Sequence, residues 1–236
     1  MSSRIEGGIS PGLSPFLPPT VSGRAPAEVP SVGQQVQLAL FSRPPPVVLD
    51  PAQFPALAEQ LRVLNKYKKK LAQLAGDDES DYTLHLADDT VAQIDEKGNI
   101  YVGAQFLEHA KDTPELLVGV LAHEIGHRPK RWRNYRVRRE LTREDLDALC
   151  RHEETRADLF SGKALAEMDL SCAPLVEFLL RHGNDANPHP DYFPPEVRAS
   201  VIRDAHTSRS YSRESRKKLF PDYERFHAPK GHIGEF

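Results

Sequence analysis

The feature that most constrains the fold of this chain is His123-Glu124-Ile125-Gly126-His127, which closes the apolar run Leu116–Ala122. Thr113 supplies a helix cap and Pro114 a first helical position, so the run reads as a buried helix carrying these five residues. Histidines four apart share one helical face and can grip one ion. Glu124 stands beside them, where its carboxylate reaches a metal-bound water without ligating the metal. Two imidazoles with an adjacent carboxylate are what hydrolysis by an activated water requires, and a single Zn²⁺ is the fitting ion.

Two protein ligands do not complete such a site. Lys130 and Arg133 stand where an HExxHxxGxxH pattern needs Gly and His, so that ligand set is excluded. The segment Arg151 to Asp158 offers His152, Glu153 and Glu154 instead. An apolar stripe of Leu146, Cys150, Ala157 and Ala164 falls between the two glutamates and does not separate them. Asp158, one turn beyond Glu154, can accept the free N–H of a ligating histidine, whereas Glu153 has only Ala157 there. Glu154 is the expected third ligand, Glu153 the alternative, and Asp158 the outer support.

Around this centre the pattern predicts an α+β body. Asp50-Pro51 opens an amphipathic helix through Phe54, Leu57, Leu61, Leu64, Leu71 and Leu74, stopped by Gly76. Tyr82–Leu86 alternates as a strand, and Thr90–Asp95 with Asn99–Val102 reads as a hairpin about Glu96-Lys97-Gly98. Thr142 and Asp145 form a capping pattern for a helix reaching Met168, and another helix covers Ala173–His182 before Gly183.

Eleven of the 20 prolines lie in the first 55 residues, so 1–46 is expected to be a flexible, largely unpacked tail. The folded domain is expected over 47–206, and a charged C-terminal extension over 207–236. A net charge of −3 provides no general basic field, which argues against a nucleic-acid partner. Seven Arg and Lys between Arg128 and Arg139 read as a solvated loop or as a positive rim for acidic peptides. Two cysteines without CxxC spacing make no disulfide scaffold. No run approaches the roughly 18 apolar residues of a membrane span, and no secretory signal is visible. A cytoplasmic location is therefore expected, with export by a route lacking an apolar signature as the other reading. Oligomeric state is not legible.

His-Glu-Ile-Gly-His followed by Glu154-x-x-Ala-Asp158 resembles the gluzincin metallopeptidases of the HtpX and CAAX-prenyl-protease family, over roughly residues 82 to 205. The resemblance implies a zincin-like domain with a small antiparallel sheet packed on an active-site helix. It implies one Zn²⁺ on His123, His127 and Glu154, Glu124 as general base, and a polypeptide substrate. Gly98–Val102 looks like the family's edge strand, which would put Ile100, Tyr101 and Val102 against extended substrate. His189 and Arg198 resemble a histidine and an arginine placed near the scissile carbonyl. The membrane spans of membrane-bound relatives are missing from this sequence. A zinc endopeptidase, with a delivered effector or toxin as one form of it, is the leading expectation. A non-catalytic, zinc-supported binding module presenting its sheet edge is the other.

Overall fold

The computed structural model describes residues 29–183 and 192–219. Within them, helix α1 (Val32–Phe41) precedes α2 (Pro55–Ala75), and three strands follow: β1 (Thr83–Ala87), β2 (Ala92–Ile94) and β3 (Asn99–Gly103). The rest is helical: α3 (Ala104–His109), α4 (Pro114–Gly126), α5 (Pro129–Arg133), α6 (Arg143–Glu167), α7 (Ala173–His182) and α8 (Pro195–Leu219). The class is α+β, mostly helical. No described helix is long and apolar enough to cross a membrane.

Local rules account for several boundaries. Thr142 accepts from the Asp145 amide while Asp145 reaches back to the Thr142 amide, a reciprocal cap that starts α6. Pro114 occupies the first turn of α4, where its missing N–H costs nothing. Gly76 ends α2 in the left-handed conformation at φ 74°. Asp50 caps only a short 3-10 turn, Pro51–Gln53, and a second proline, Pro55, takes the first position of α2.

The sheet departs from the antiparallel expectation. Its order is β1-β3-β2: β2 and β3 form the antiparallel hairpin, but β1 lies parallel to β3. The strand with Ile100, Tyr101 and Val102 is therefore central, its backbone taken up on both sides and all three residues buried. It cannot serve as the edge that accepts an extended peptide. The outer side of β1 is partly covered, since Leu49 donates to the Leu86 carbonyl and Asp88 to that of Val47. Among the described residues no further strand pairs with β2, which packs against α4.

The tail expected over 1–46 is also corrected. Residues 1–28 lie outside the described residues, but Ser31 caps α1 with a reciprocal Gln34 bond, and Val36 and Phe41 are buried in the core. Proline clusters flank this segment without entering it, so its apolar face is free to form a helix and pack. α1 seats on α5 and the strand-like stretch after it: Val32 donates to Val137, Gln35 to Arg139 and Gln37 to Pro129, all at carbonyl oxygens. The boundary expected at 206/207 falls inside α8, which runs through it. The core joins Leu64 and Leu71 of α2, Leu86 and Ile100 of the sheet, Leu121 and Ile125 of α4, Leu165 of α6 and Ile202 of α8.

Gly33 tests the seating of α1. A Cβ there would lie 2.2 Å from the Trp132 carbonyl oxygen and 2.5 Å from that of Tyr135. In a loose helix Gly33→Ala would stabilise by up to about 1 kcal/mol. Seated as described, it should destabilise by about 1–3 kcal/mol through overpacking. A thermal melt reads the sign directly, and a raised melting temperature would contradict the packing.

Candidate metal centre

The centre forms where the last turn of α4 crosses the middle of α6. A Cβ on Gly126 would stand 2.9 Å from the Ala157 Cα, so Gly126 lets the helices meet backbone to backbone. At that spacing His123 and His127, one turn apart, face Glu154 and Asp158, also one turn apart. His123 Nε2 lies 3.2 Å from Glu154 Oε2, and His127 Nε2 lies 3.7 Å from Glu154 Oε1. The two imidazoles stand nearly perpendicular with centroids 4.9 Å apart. One ligand atom from each of His123, His127 and Glu154 falls within 4.8 Å of the others, a group that could hold a metal ion.

The outer contacts are as specific. His123 Nδ1 donates to Asp158 Oδ1 at 2.9 Å, which turns Nε2 toward the centre. Arg198, from the first turn of α8, donates Nε and Nη2 to Asp158 at 2.8 and 3.0 Å. Its Nη2 is also 3.7 Å from Glu154 Oε2. Arg198 is thus committed to the carboxylate that orients His123. His189 lies outside the described residues.

A buried atom tests whether an ion fits. Glu154 Oε2 is sealed from solvent and completes no hydrogen bond, although His123 and Arg198 are near. An unsatisfied buried carboxylate oxygen is expensive, and a cation held with two imidazoles would satisfy it. The nitrogen and oxygen donors suit a borderline ion such as zinc.

The protonation states follow from burial and neighbouring charge. Burial disfavours a charged His123, but the Asp158 and Glu154 carboxylates outweigh it and raise its pKa to about 10. Burial takes His127 down to about 4, keeping that ring neutral. Burial works against ionisation of Glu154 too, yet His127, His123 and Arg198 hold it at about 2. Asp158 stays below the usual carboxylate range against burial, through His123 and Arg198. Glu124 is pushed up to about 7, chiefly by burial, against the pull of His123. The Ile94 backbone N–H also acts on Glu124, which sets the β2 edge beside it.

Glu153, the alternative ligand, is employed elsewhere. It accepts the Trp132 indole N–H at 2.8 Å and Arg156 Nη2 at 2.6 Å, while Arg156 also donates to the His127 carbonyl at 3.1 Å. Glu153 thereby ties α5 to the end of α4. A buried indole N–H needs an acceptor, and the lone tryptophan in an arginine-rich run was the sequence signal for it. The run itself is only partly a free rim. Arg128 makes a bidentate pair with Asp77, Lys130 pairs with Asp81, and Arg131 lies 3.7 Å from Glu153.

Tyr192 also belongs to the site. The Arg198 guanidinium lies 5.0 Å from its ring centroid, and its hydroxyl accepts from Arg43 Nη2 at 3.4 Å. Burial, reinforced by Glu154, raises its pKa to about 12, so it remains an O–H donor. Nothing in the sequence spacing marks Tyr192, because it enters from the connection before α8.

The sequence matches no protein-family model and no curated protein.

The two neighbouring glutamates should separate cleanly by experiment. Glu154→Ala should abolish retention of a divalent ion after desalting, measured by elemental analysis. Glu153→Ala should keep the ion but destabilise the fold by about 3 kcal/mol, since it strands Arg156 and Trp132. The reverse pattern would make Glu153 the ligand.

Proposed function

We propose that this chain is a zinc-dependent endopeptidase of the gluzincin kind, with His123, His127 and Glu154 holding one Zn²⁺. The observation that carries the reading is the convergence of those three side chains with Glu124 beside them, next to a strand edge that no other strand pairs with among the described residues. A bound zinc ion supplies Lewis acidity, acidifying a water and polarising a carbonyl.

The protein residues supply the rest. Glu124, with a pKa near 7, is suited to taking a proton from the attacking water and returning it to the leaving amine nitrogen. Asp158 orients His123, and Arg198 fixes Asp158, so Arg198 acts as a positioning residue. Tyr192, which feels the charges of Glu154 and Glu124, is our candidate O–H donor for the developing oxyanion, a role the family resemblance had implied for His189 and Arg198. Substrate is a polypeptide laid along β2. The β2–β3 ladder is bonded at Val91 and Asp95, so alternation leaves the backbone groups of Ala92 and Ile94 facing outward. With the Ile94 N–H turned to Glu124, added main-chain bonds to Ala92 and to the Ile94 carbonyl would fix an extended backbone there with little demand on side chains.

The competing reading, a metal-supported binding module, makes no use of a proton acceptor at Glu124.

Glu124→Gln decides between them. The variant should hold zinc in the wild-type ratio while cleavage of a casein-type substrate falls at least about a hundredfold. Wild-type cleavage with zinc bound would remove Glu124 from the proton-transfer role.

A further inference from the structure

The stretch Phe41-Ser42-Arg43-Pro44-Pro45-Pro46, at the end of α1, runs beside the candidate metal centre and touches His127, Tyr192 and Gln93 of β2. Phe41 sets its ring edge-on to His127, centroids 6.0 Å apart, and is buried. Arg43 Nη2 reaches the Tyr192 hydroxyl at 3.4 Å. From the opposite side, Gln93 Nε2 donates to the Arg43 carbonyl at 3.4 Å and to the Pro44 carbonyl at 3.5 Å. Gln93 is the neighbour of Ile94, whose N–H acts on Glu124, so Arg43 and Pro44 bridge the space between the β2 edge and Tyr192. On the peptidase reading, a peptide added along β2 would run past this link.

Two physical features make this stretch a removable cover. Three successive prolines have no backbone N–H and cannot complete a ladder with β2, so the stretch lies at the edge without becoming a strand. Gln93 holds the Arg43 and Pro44 carbonyls at 3.4 and 3.5 Å, the long limit of hydrogen bonding, where each bond contributes little. The ends are fixed more firmly, by Phe41 in the core and by the bonds of Val47 and Leu49 to β1. Fixed ends and long, weak bonds to β2 describe a strap that can lift off that strand without unfolding the domain.

We propose that Phe41–Pro46 is an autoinhibitory strap, occupying the substrate path over Glu124 and Glu154 and lifting off β2 when a polypeptide enters. The inference rests on the peptidase reading and adds regulation to it. The strap covers the metal centre as well as the substrate edge, so access to bound metal reports on it independently of catalysis.

The test uses the full-length, zinc-loaded chain with Arg43→Ala and Gln93→Ala combined. Two rates are compared with wild type: removal of zinc by excess dipicolinate, and hydrolysis of an internally quenched peptide of mixed sequence. Both should rise roughly tenfold, as expected on losing two or three weak hydrogen bonds. Faster zinc removal with no peptide cut by either protein upholds the strap and removes the peptidase reading. An unchanged zinc-removal rate at a wild-type melting temperature overturns the strap. Should the double variant melt early, Gln93→Ala alone, at a partly exposed side chain, carries the same test with a roughly threefold increase expected.

Discussion

The site depends on how closely α4 and α6 approach. Their contact at Gly126 and Ala157 leaves no room for a larger side chain on α4, and there the imidazoles of one helix meet the carboxylates of the other. A similar contact continues the layer outward: a Cβ on Gly162 would lie 2.4 Å from the Ile202 carbonyl oxygen, which keeps α8 against α6. That second contact carries Arg198 to Asp158. Small residues at helix crossings thus set the spacing of the candidate metal ligands and of the groups that support them. The tertiary packing does more here than any single hydrogen bond.

Burying this much charge is costly unless every group finds a partner. Asp158 has two, His123 and Arg198. Glu153 has Trp132 and Arg156. Glu154 is the exception, with one oxygen left unsatisfied in the midst of two imidazoles. Adjacent glutamates project about 100° apart on a helix, so one turns to the structural network and its neighbour to the centre. The buried oxygen without a hydrogen bond is the physical argument for a cation, and the two fully partnered carboxylates explain why the array holds its shape.

The helices carrying the centre were legible because their signals are local. Thr113-Pro114, the Thr142–Asp145 reciprocal cap and the Ala173–His182 stretch mark α4, α6 and α7 within one or two residues. The sheet was harder. The Glu96–Gly98 turn identifies the hairpin, but nothing local says that β1 joins β3 in parallel, because that pairing is decided by how the sheet covers α2 and α4. α1 was hidden by its surroundings: proline on both sides suggested an unpacked tail, while Val36 and Phe41 gain enough by burial to order the helix between. Tyr192 and the Arg43 contact depend on residues far apart in the chain, and no spacing rule links them. What sequence periodicity conveys is which face a residue occupies. Which distant face it meets comes from packing.

The account stands or falls on whether His123, His127 and Glu154 share one ion. X-ray absorption at the zinc edge of the loaded, desalted protein measures this most directly. The geometry predicts one zinc per chain, with a nitrogen and oxygen shell at about 2.0–2.1 Å, imidazole scattering from two histidines and no sulfur. A sulfur shell near about 2.3 Å would place the ion on cysteine instead. That result, or failure of the folded protein to retain zinc, would contradict the central claim.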